Sequence, residues 1–472
     1  MSTIQHLSGR EILDSRGRPT VRATCALASG AVAGASVPSG ASTGAAEALE
    51  LRDRDPRRYR GLGCRAAAGN ITGELHRALV GRAFETQHAL DEALIALDAT
   101  PNKSRLGANA LLGVSLAFAR AVALEQGMPL YQRFADILDE RPPTTDHRPP
   151  TTDQGSRIED RRSSRRDPRS SILDPRSSES RSSFVGRPSS LPRLTVNLFS
   201  GGKHAGGQTP IQDVLVVPVA ARTIDEGLAV VYEIYQAAAE LVSRKYGMRA
   251  LTADEGGLAP AFAGAEAMLS DAVEAIRAAG FEPGRDVALA VDVAASHFYR
   301  DGRYHLGERV LDSSAMIDCL LGWLDRYPII SVEDGLAEDD WAHWPALRAR
   351  LAGRALALGD DLLCTNPARI RRAIDIQAAD ALLLKVNQIG TLSEAAAACG
   401  LARAAGWWVT VSARSGETED DWLADLAVGW GGDQIKVGSI TQSERLAKYN
   451  RLLEIEAETG LPLAALPHGV SS

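Results

Sequence analysis

ALAVD at 288–292 is the first of six apolar stretches that decide the fold, and each of them ends on or beside a charged residue. The others are IISVED at 329–334, ALALGD at 355–360, ALLLK at 381–385, WVTVSAR at 408–414 and QIK at 434–436. The charged residues are separated by 41, 27, 25, 29 and 22 residues, and they are Asp292, Glu333, Asp360, Lys385, Arg414 and Lys436. Each separation suits one helix, one strand and two loops. A parallel (β/α) barrel brings the C-terminal ends of its strands to one rim that carries the chemistry, so the sequence predicts one shared site.

The charges at these strand ends favour a metal-assisted reaction over a structural role. For any single acid, capping of the following helix is the more common role. Helix capping does not explain the six charged residues together, because Lys385 follows four apolar residues and an unpaired buried ammonium is costly. Three close carboxylates repel one another unless a cation lies between them, and such oxygen ligands suit Mg²⁺. A lysine beside that metal suits abstraction of a proton next to a carboxylate.

Composition excludes several classes of protein. The chain has 472 residues, of which 45% are apolar, and this is enough for a barrel and a smaller domain. A net charge of −8 argues against a general nucleic-acid or membrane binder. The five cysteines are scattered and lack CxxC spacing, which suits a reducing cytoplasm and gives no disulfide framework or zinc site. We find neither a signal-like run nor an apolar stretch of membrane-spanning length, so we expect a cytoplasmic protein.

Three segments differ in their patterns. Residues 1–137 combine a strand–turn–strand pattern around Gly30 with later helical patterns, which predicts an α+β domain. Residues 138–192 repeat RPPTTD and DPRSS, and a segment so rich in Arg, Ser, Pro and Asp buries too little to order itself, so we expect a disordered linker. Residues 193–472 alternate strands and helices, which predicts the barrel and an overall α/β class.

A series of short motifs, in order and at suitable separations, carries a resemblance to a known family. They are DSRGRPTV at 14–21, VPSGASTGAAEALELRD at 37–53, NKSRLGANALLGVSLA at 102–117, GGKHAGG at 201–207, DEGGLAP at 254–260, SVEDGLAEDDW at 331–341, GDDLLCTNP at 359–367, LLLKVNQIGT at 382–391, RSGETED at 414–420 and QIKVGSITQSERLAKYN at 434–450. The chain resembles the enolase family, whose superfamily is itself the known example of lysine and magnesium acting on a carboxylate substrate. The resemblance implies an N-terminal α+β domain followed by an enolase-type (β/α)8 barrel whose first strands are not all parallel.

The resemblance also implies a reaction and its proton carriers. The reaction is the reversible dehydration of 2-phosphoglycerate to phosphoenolpyruvate, a step of glycolysis and gluconeogenesis. Lys385 is implied to take the proton from C2, and Glu255 to protonate the departing C3 hydroxyl. His204 is implied to approach the substrate from the GGKHAGG loop, and Asp213 to assist Glu255.

Two magnesium sites follow from the same resemblance. The first Mg²⁺ is implied to bind the strand-end acids Asp292, Glu333 and Asp360 and to polarise the substrate carboxylate. Ser42 is implied to help bind a second Mg²⁺, completed by substrate, when its loop closes. Glycines flank that serine and permit such a motion.

The substrate is implied to be a small phosphorylated acid held by four side chains. Lys436 is implied to add positive charge at the substrate carboxylate. Arg414 and Ser415 are implied to hold the phosphate, to which an arginine can donate two hydrogen bonds. Gln212 is also implied to touch the substrate.

The chain departs from the family pattern beside the expected substrate. The family motif SHRSGETED is SARSGETED here, so Ala413 stands where the family has a histidine. QEF is QDV here, so Asp213 withdraws a carboxylate by one methylene, and a shift of about 1 Å can lower a rate ~100-fold. Lesser departures surround these, at Lys203, His297 and Gly335. The concentration of changes favours an altered or relaxed site.

A further pair of departures concerns assembly. The family carries an ion pair across its dimer interface at two positions where this chain has Arg22 and Glu454, with both signs reversed. We expect a homodimer in which Arg22 faces Glu454 of the second copy. Because both signs are reversed together, a mixed dimer with an ordinary enolase would place like charges opposite each other. Two unrelated surface changes are the alternative.

Three functions are compatible with these patterns. The first is a working phosphopyruvate hydratase, which the retained strand-end set favours. The second is a divergent paralogue that dehydrates a phosphonate or phosphinate analogue in specialised metabolism, which the loss of a histidine at Ala413 favours. The third is a non-catalytic binding or scaffold protein, for which the Arg-rich linker is the support.

Overall fold

The structure is a computed structural model that describes residues 1–41, 44–140, 189–247 and 249–466. Most of the predicted linker, residues 141–188, lies outside the described residues, and so does Ser42. The linker's predicted disorder therefore stays a prediction. Leu191, within the predicted linker boundary, is buried and pairs with Leu463.

The N-terminal domain is built on an antiparallel four-stranded sheet with the order β3-β2-β1-β4. Its strands are β1 (Ser2–Leu13), β2 (Pro19–Leu27), β3 (Val32–Ser36) and β4 (Ala83–Phe84). The turn between β2 and β3 contains Gly30, whose φ of +93° lies in the left-handed region that glycine tolerates best. The predicted strand–turn–strand pattern is therefore confirmed.

Five helices of the described residues complete this domain. They are α1 (Arg65–Asn70), α2 (His76–Leu79), α3 (Gln87–Asp98), α4 (Ala108–Gln126) and α5 (Leu130–Asp139). Helix α3 begins after Thr86, whose side-chain oxygen accepts a hydrogen bond from the backbone N–H of Ala89. It ends at Ala99, which adopts the left-handed conformation.

Helix α4 corrects the expectation that no apolar stretch is long enough to cross a membrane. Its 19 residues are long and apolar enough by length and composition, and it is the one such helix in the described part of the chain. Within its most apolar window, 83% is buried inside the protein. The helix packs against β2 and β3, and Gly113 permits this because a Cβ there would lie 3.1 Å from the Cβ of Ala23. The apolar run is the core of this domain.

The second domain contains eleven described strands, of which eight close a barrel and three form a separate sheet. In chain order they are β5 (Arg193–Ser200), β6 (Asp213–Val217), β7 (Ala288–Asp292), β8 (Tyr299–Arg300), β9 (Arg303–Leu306), β10 (Arg309–Leu311), β11 (Ile329–Glu333), β12 (Leu356–Gly359), β13 (Ala381–Leu384), β14 (Trp408–Ser412) and β15 (Gln434–Lys436). Around the barrel the order is β11-β12-β13-β14-β15-β5-β6-β7. The (β/α)8 barrel is confirmed.

Strand β6 runs antiparallel to both of its neighbours, whereas the other neighbouring barrel strands pair in parallel. The implied mixture of strand directions is therefore confirmed. The reversal has a local consequence, because the first residue of β6 lies at the rim where the other strands end. That residue is Asp213, which pairs with Ser200 at the end of β5 and with Asp292 at the end of β7.

Eight described helices accompany the barrel. They are α6 (Ile224–Tyr246), α7 (Ala265–Ala278), α8 (Ser313–Leu324), α9 (Trp344–Leu351), α10 (Pro367–Asp375), α11 (Leu392–Ala404), α12 (Trp422–Gly429) and α13 (Ser443–Thr459). Helix α13 stops at Gly460 in the left-handed conformation, as the sequence predicts. The strand-end charges do not cap these helices: α10, which follows Asp360, is capped by Asn366, and α11, which follows Lys385, is capped by Thr391.

Candidate active site

The strand ends bring the three predicted metal-binding acids to one place. Glu333 and Asp292 are partners in the β11–β7 ladder, and Asp360 follows β12, the other neighbour of β11. Lys436 Nζ donates to Asp292 Oδ2 at 2.9 Å and to Glu333 Oε2 at 2.7 Å. Lys385 Nζ donates to Asp360 Oδ2 at 2.5 Å. The predicted convergence of acids and lysines is therefore observed, and all five groups are buried or nearly so.

Electrostatics in this cluster call for a cation. Burial, followed by the charge of Asp292, raises the pKa of Glu333 well above its ordinary value. Burial opposes the charge on Lys436, but Asp292 and Glu333 outweigh it and raise the pKa of that lysine well above its ordinary value. Glu333 Oε1 is also buried without a hydrogen-bond partner in the described structure. The residues therefore fit a divalent metal. In this structure two ammonium groups neutralise part of the negative charge that such a metal would balance.

Two further acids, which the sequence prediction missed, lie against this cluster. Asp334, Asp360 and Asp361 each offer a carboxylate oxygen within 4.8 Å of the others. Asp334 accepts hydrogen bonds from the backbone N–H of Asp360 at 3.0 Å and of Asp361 at 2.7 Å. It does so from a left-handed conformation, with φ of +43°. Asp334 thus holds the end of β12 beside the end of β11, and the doubled acids at 333–334 and 360–361 were the available signal.

The predicted proton carriers form a buried row on the opposite side. His204 lies in the Gly-rich loop after β5, with Nδ1 at 2.9 Å from Asp213 Oδ2 and Nε2 at 3.6 Å from Glu255 Oε1. Asp213 also accepts a hydrogen bond from Ser200 Oγ at 2.6 Å. Asn197 Nδ2 donates to Glu255 Oε2 at 3.0 Å. The imidazole of His204 therefore lies between the carboxylates of Asp213 and Glu255, and the assistance of Glu255 by Asp213 stays a prediction.

The histidine in this row holds a proton tightly. Burial opposes its charge, but the carboxylates of Glu255 and Asp213 outweigh burial and raise the pKa of His204 to about 9. Burial likewise opposes the charge of Glu255, but His204 and the nearby cations outweigh it and lower the pKa of Glu255. The electrostatics of the row therefore favour the charged form of His204 and the ionised form of Glu255, whereas burial raises the pKa of Asp213.

Gln212 bonds in this structure to one of the acids that the sequence predicts to bind the metal. Its Nε2 donates to Asp292 Oδ2 at 3.0 Å, the same oxygen that accepts from Lys436. Burial opposes the charge of Asp292, but Lys436 outweighs it and lowers the pKa of Asp292 to about 2. Gln212 thus helps to orient a carboxylate whose ionised form Lys436 stabilises.

The predicted anion-binding residues lie where the N-terminal domain meets the barrel. Arg414 donates to both oxygens of Glu47, with Nη1–Oε2 at 3.1 Å and Nη2–Oε1 at 3.2 Å, and to Asn387 Oδ1 at 2.9 Å. Ser415 Oγ accepts from Arg16 Nη1 at 3.0 Å and from the backbone N–H of Ala41 at 2.9 Å. Glu47 and Arg16 were missed because their partners lie more than 360 positions away in the chain.

The groups of both sides line one narrow cavity of about 20 Å³, which is room for about one water molecule. His204, Glu255, Lys385, Arg414 and Ala413 all lie on its wall. The cavity is small because its cations and anions pair with one another across it. A substrate would therefore need to exchange these internal ion pairs for its own charges.

The loop that contains Ser42 is closely packed where it is described. A Cβ on Gly44 would lie 2.5 Å from Cys364 Sγ and 3.2 Å from Asp361 Oδ1. The backbone N–H of Ala45 donates to Glu338 Oε2 at 3.0 Å. The described flank of Ser42 thus lies directly against the acid cluster, while Ser42 itself is outside the described residues.

The residues predicted to face each other between two copies share a surface. Arg22 and Glu454 both line an open cleft of about 430 Å³, together with Leu124 and Met128. Arg22 Nη1 donates to Ser36 Oγ at 3.2 Å, and Glu454 pairs with Arg451 at 3.0 Å.

Comparison with protein-family models agrees with this architecture. A model described as the enolase N-terminal domain matches residues 4–134. A model described as the enolase C-terminal TIM barrel domain matches residues 188–466, which is more than half of the chain. The strand-end acids, the two lysines and the closed mixed barrel lie within the second match. The chain therefore belongs to the enolase family.

Proposed function

We propose that this enolase-superfamily lyase dehydrates 2-phosphoglycerate to phosphoenolpyruvate with the help of Mg²⁺. One observation carries the proposal: Lys385 and the His204–Glu255 pair lie on the wall of the same cavity as Asp292 and Arg414. A base, an acid, a metal-binding cluster and an anion-binding group are the four requirements of this elimination. Bound Mg²⁺ would lower the energy of the extra negative charge that develops on the substrate carboxylate.

Lys385 is the proposed base. Its Nζ is held by Asp360, and its pKa is raised because Asp360 and Glu333 outweigh burial and the neighbouring cations. A cation held by Asp360 and Glu333 would compete for the carboxylates that stabilise the ammonium, which would favour the neutral amine of Lys385. Lys385 can then be deprotonated and accept the C2 proton. Lys436 remains charged beside the substrate carboxylate.

Glu255 is the proposed immediate donor to the departing hydroxyl, with His204 as its proton reserve. The proton passes from His204 Nε2 to Glu255, 3.6 Å away, and from Glu255 to the C3 oxygen as the C–O bond breaks. Asp213 keeps Nδ1 protonated and points Nε2 toward Glu255. Arg414 and Ser415 hold the phosphate once it displaces Glu47.

The proposal is tested by phosphoenolpyruvate formation with Mg²⁺ and with a chelator. Lys385→Ala should lower kcat at least about 100-fold, the usual minimum for loss of a general base. Lys245→Ala on α6, whose partner is Asp271 outside the cavity, is the matched control and should keep full activity. A folded wild-type protein that binds Mg²⁺ and forms no product would overturn the proposal.

A phosphonate or phosphinate analogue is the second candidate substrate. Ala413 lines the cavity next to Arg414, so the head group meets a methyl there. Ala413→His separates the two candidates. If 2-phosphoglycerate is the natural substrate, its kcat/KM should exceed that of the phosphonate analogue in the wild type. If the analogue is natural, the wild type should prefer it, and the histidine should shift preference toward 2-phosphoglycerate. A non-catalytic scaffold role predicts turnover of neither.

We further propose a cytoplasmic homodimer, without nucleic-acid or membrane partners, in which Arg22 pairs with Glu454 of the second copy. The support is the open cleft on which both residues lie beside exposed apolar side chains such as Leu124. Light scattering of Arg22→Glu should show weakened association, and Arg22→Glu combined with Glu454→Arg should restore it. Abundant mixed dimers on co-expression with an ordinary enolase would refute exclusion of that partner.

A further inference from the structure

Gln388 lies between the two halves of the candidate active site. It ends the short helical turn Val386–Gln388 that follows β13, and it is fully buried. Its Nε2 donates to Asp360 Oδ1 at 2.8 Å and lies 3.4 Å from Glu47 Oε1. Its backbone oxygen accepts from the N–H of Ala48 at 2.7 Å. One amide group thus contacts a carboxylate of the barrel and a carboxylate of the N-terminal domain.

The orientation of this amide is fixed by its surroundings. Carboxylates can only accept, so the NH₂ group must face Asp360 and Glu47. The carbonyl oxygen accepts instead from Thr365 Oγ1 at 2.7 Å. Thr365 also accepts a hydrogen bond from the backbone N–H of Lys385 at 2.9 Å. The amide therefore has one orientation that satisfies all of its neighbours.

The backbone is strained where it supports Gln388. Thr365 has φ of +50°, a left-handed value that is rare for a β-branched residue. Its neighbour Cys364 has φ of +47°. Such strain persists when surrounding contacts require it, and it concentrates at functional sites. Here the Thr365 hydroxyl makes two hydrogen bonds, to Gln388 and from the backbone N–H of Lys385.

The two carboxylates that share Gln388 have different second partners. The other oxygen of Asp360 accepts from Lys385, the proposed base. Both oxygens of Glu47 accept from Arg414, the proposed phosphate ligand. A continuous row of hydrogen-bonded groups therefore runs from Lys385 through Asp360, Gln388 and Glu47 to Arg414. It joins the cation-binding half of the site to the anion-binding half.

We propose that Gln388 is a positioning residue that couples cation binding at Asp360 to anion binding at Arg414. A cation that draws the Asp360 carboxylate toward itself weakens the hydrogen bond from Gln388. The amide then binds Glu47 more strongly and draws it from Arg414, which leaves the guanidinium to an incoming anion. Coupling is reciprocal, so an anion on Arg414 tightens cation binding by the same factor. The inference rests on the proposed function of these two ligand sites.

Binding measurements without turnover test the coupling. Mn²⁺, used in place of Mg²⁺, is titrated by electron paramagnetic resonance with and without saturating inorganic phosphate. In the wild-type chain we expect phosphate to tighten Mn²⁺ binding by about 5-fold or more. Gln388→Leu should bind each ligand alone within about 3-fold of the wild type and lose most of this factor. Direct contact between phosphate and the metal would contribute equally in every variant. A change in the factor by which phosphate tightens Mn²⁺ binding therefore measures the contribution of Gln388.

Gln434→Leu is the matched control, because Gln434 is another buried barrel glutamine and its partner is Thr410. The control should retain the wild-type factor. Equal coupling in both leucine variants, or no coupling in the wild type, would overturn the inference. If Gln388→Leu does not fold, Glu47→Gln serves instead: it removes the carboxylate shared with Arg414 and should abolish the coupling. Coupling without any 2-phosphoglycerate turnover would refute the proposed reaction and leave the role of Gln388 intact.

Discussion

Asp213→Asn should move the titration of His204 toward neutral pH. The aspartate carries a buried negative charge 2.9 Å from Nδ1 of the imidazole, and asparagine keeps an acceptor there without the charge. Burial opposes the imidazolium, whereas Glu255 and then Asp213 raise the pKa of His204 from 6.5 to about 9. That rise is worth about 3 kcal/mol, at about 1.4 kcal/mol for each tenfold change. Because Asp213 contributes both its negative charge and a hydrogen bond, we expect the pKa of His204 to be lower in the variant than in the wild type.

Proton nuclear magnetic resonance can follow this titration directly. The chain contains nine histidines, and His204→Gln identifies the resonance that belongs to His204. Asp286→Asn is a matched control, since Asp286 pairs with Arg285 on an exposed loop. The control should leave the imidazole unchanged. A pKa of His204 that is the same in Asp213→Asn and in the wild type would refute the proposed electrostatic role of Asp213.

The negative charge of Asp213 beside His204 should also make the free energy of unfolding depend on pH. The folded pKa of His204, about 9, exceeds its unfolded value of 6.5, so the stabilisation is fully present below pH 6.5 and is lost as pH rises through 9. Urea unfolding of the wild type should therefore show a decline of up to about 3 kcal/mol over this window. In Asp213→Asn the decline should be shallower. Parallel curves for the two proteins would contradict this account.

Two other substitutions probe the packing and the charges of the site. Gly44→Ala places a Cβ 2.5 Å from Cys364 Sγ, so kcat/KM should fall, and Cys364→Ala in the same chain should recover most of it; no recovery would show that the sulfur is not the obstacle. Lys436→Met leaves the Asp292–Glu333 pair without its ammonium, so urea unfolding in a chelator should show a loss of about 3 kcal/mol, as when one partner of a buried pair is removed. Mg²⁺ should restore part of that loss, and an equal loss with and without Mg²⁺ would argue against a cation site there.

Much of the barrel could be predicted from sequence because its signal is local. An apolar run of four or five residues followed by a charge is visible without knowledge of the fold, and a parallel barrel turns that pattern into a shared rim. The positions of Asp292, Glu333 and Lys436 follow from this reasoning. Asp334 and Asp361 were missed because a second acid after a strand has no distinct meaning until the strands are aligned.

Other parts of the site depend on contacts that no local pattern records. Glu47 reaches Arg414 across 367 positions of sequence, and Gln388 is linked to Arg414 through Glu47. The apolar run of α4 is a similar case, because composition alone does not distinguish the core helix of a domain from a membrane segment. The burial of α4 against the sheet of the N-terminal domain shows that it is a core helix.

The reversed direction of β6 also bears on how such a site can change. Strand β5 ends at the rim with Ser200, and β6 begins there with Asp213, so the loop between them starts and finishes above the cavity. After β7 the chain forms the small sheet of β8, β9 and β10, whereas after β11, β12, β13 and β14 it continues to a helix. The loop at 201–212 thus joins two adjacent strands of the barrel and carries His204 and Gln212 into the site. Evolution or protein engineering could therefore change the residues on the proposed acid side of the reaction within this loop, while the strands of the barrel stay the same.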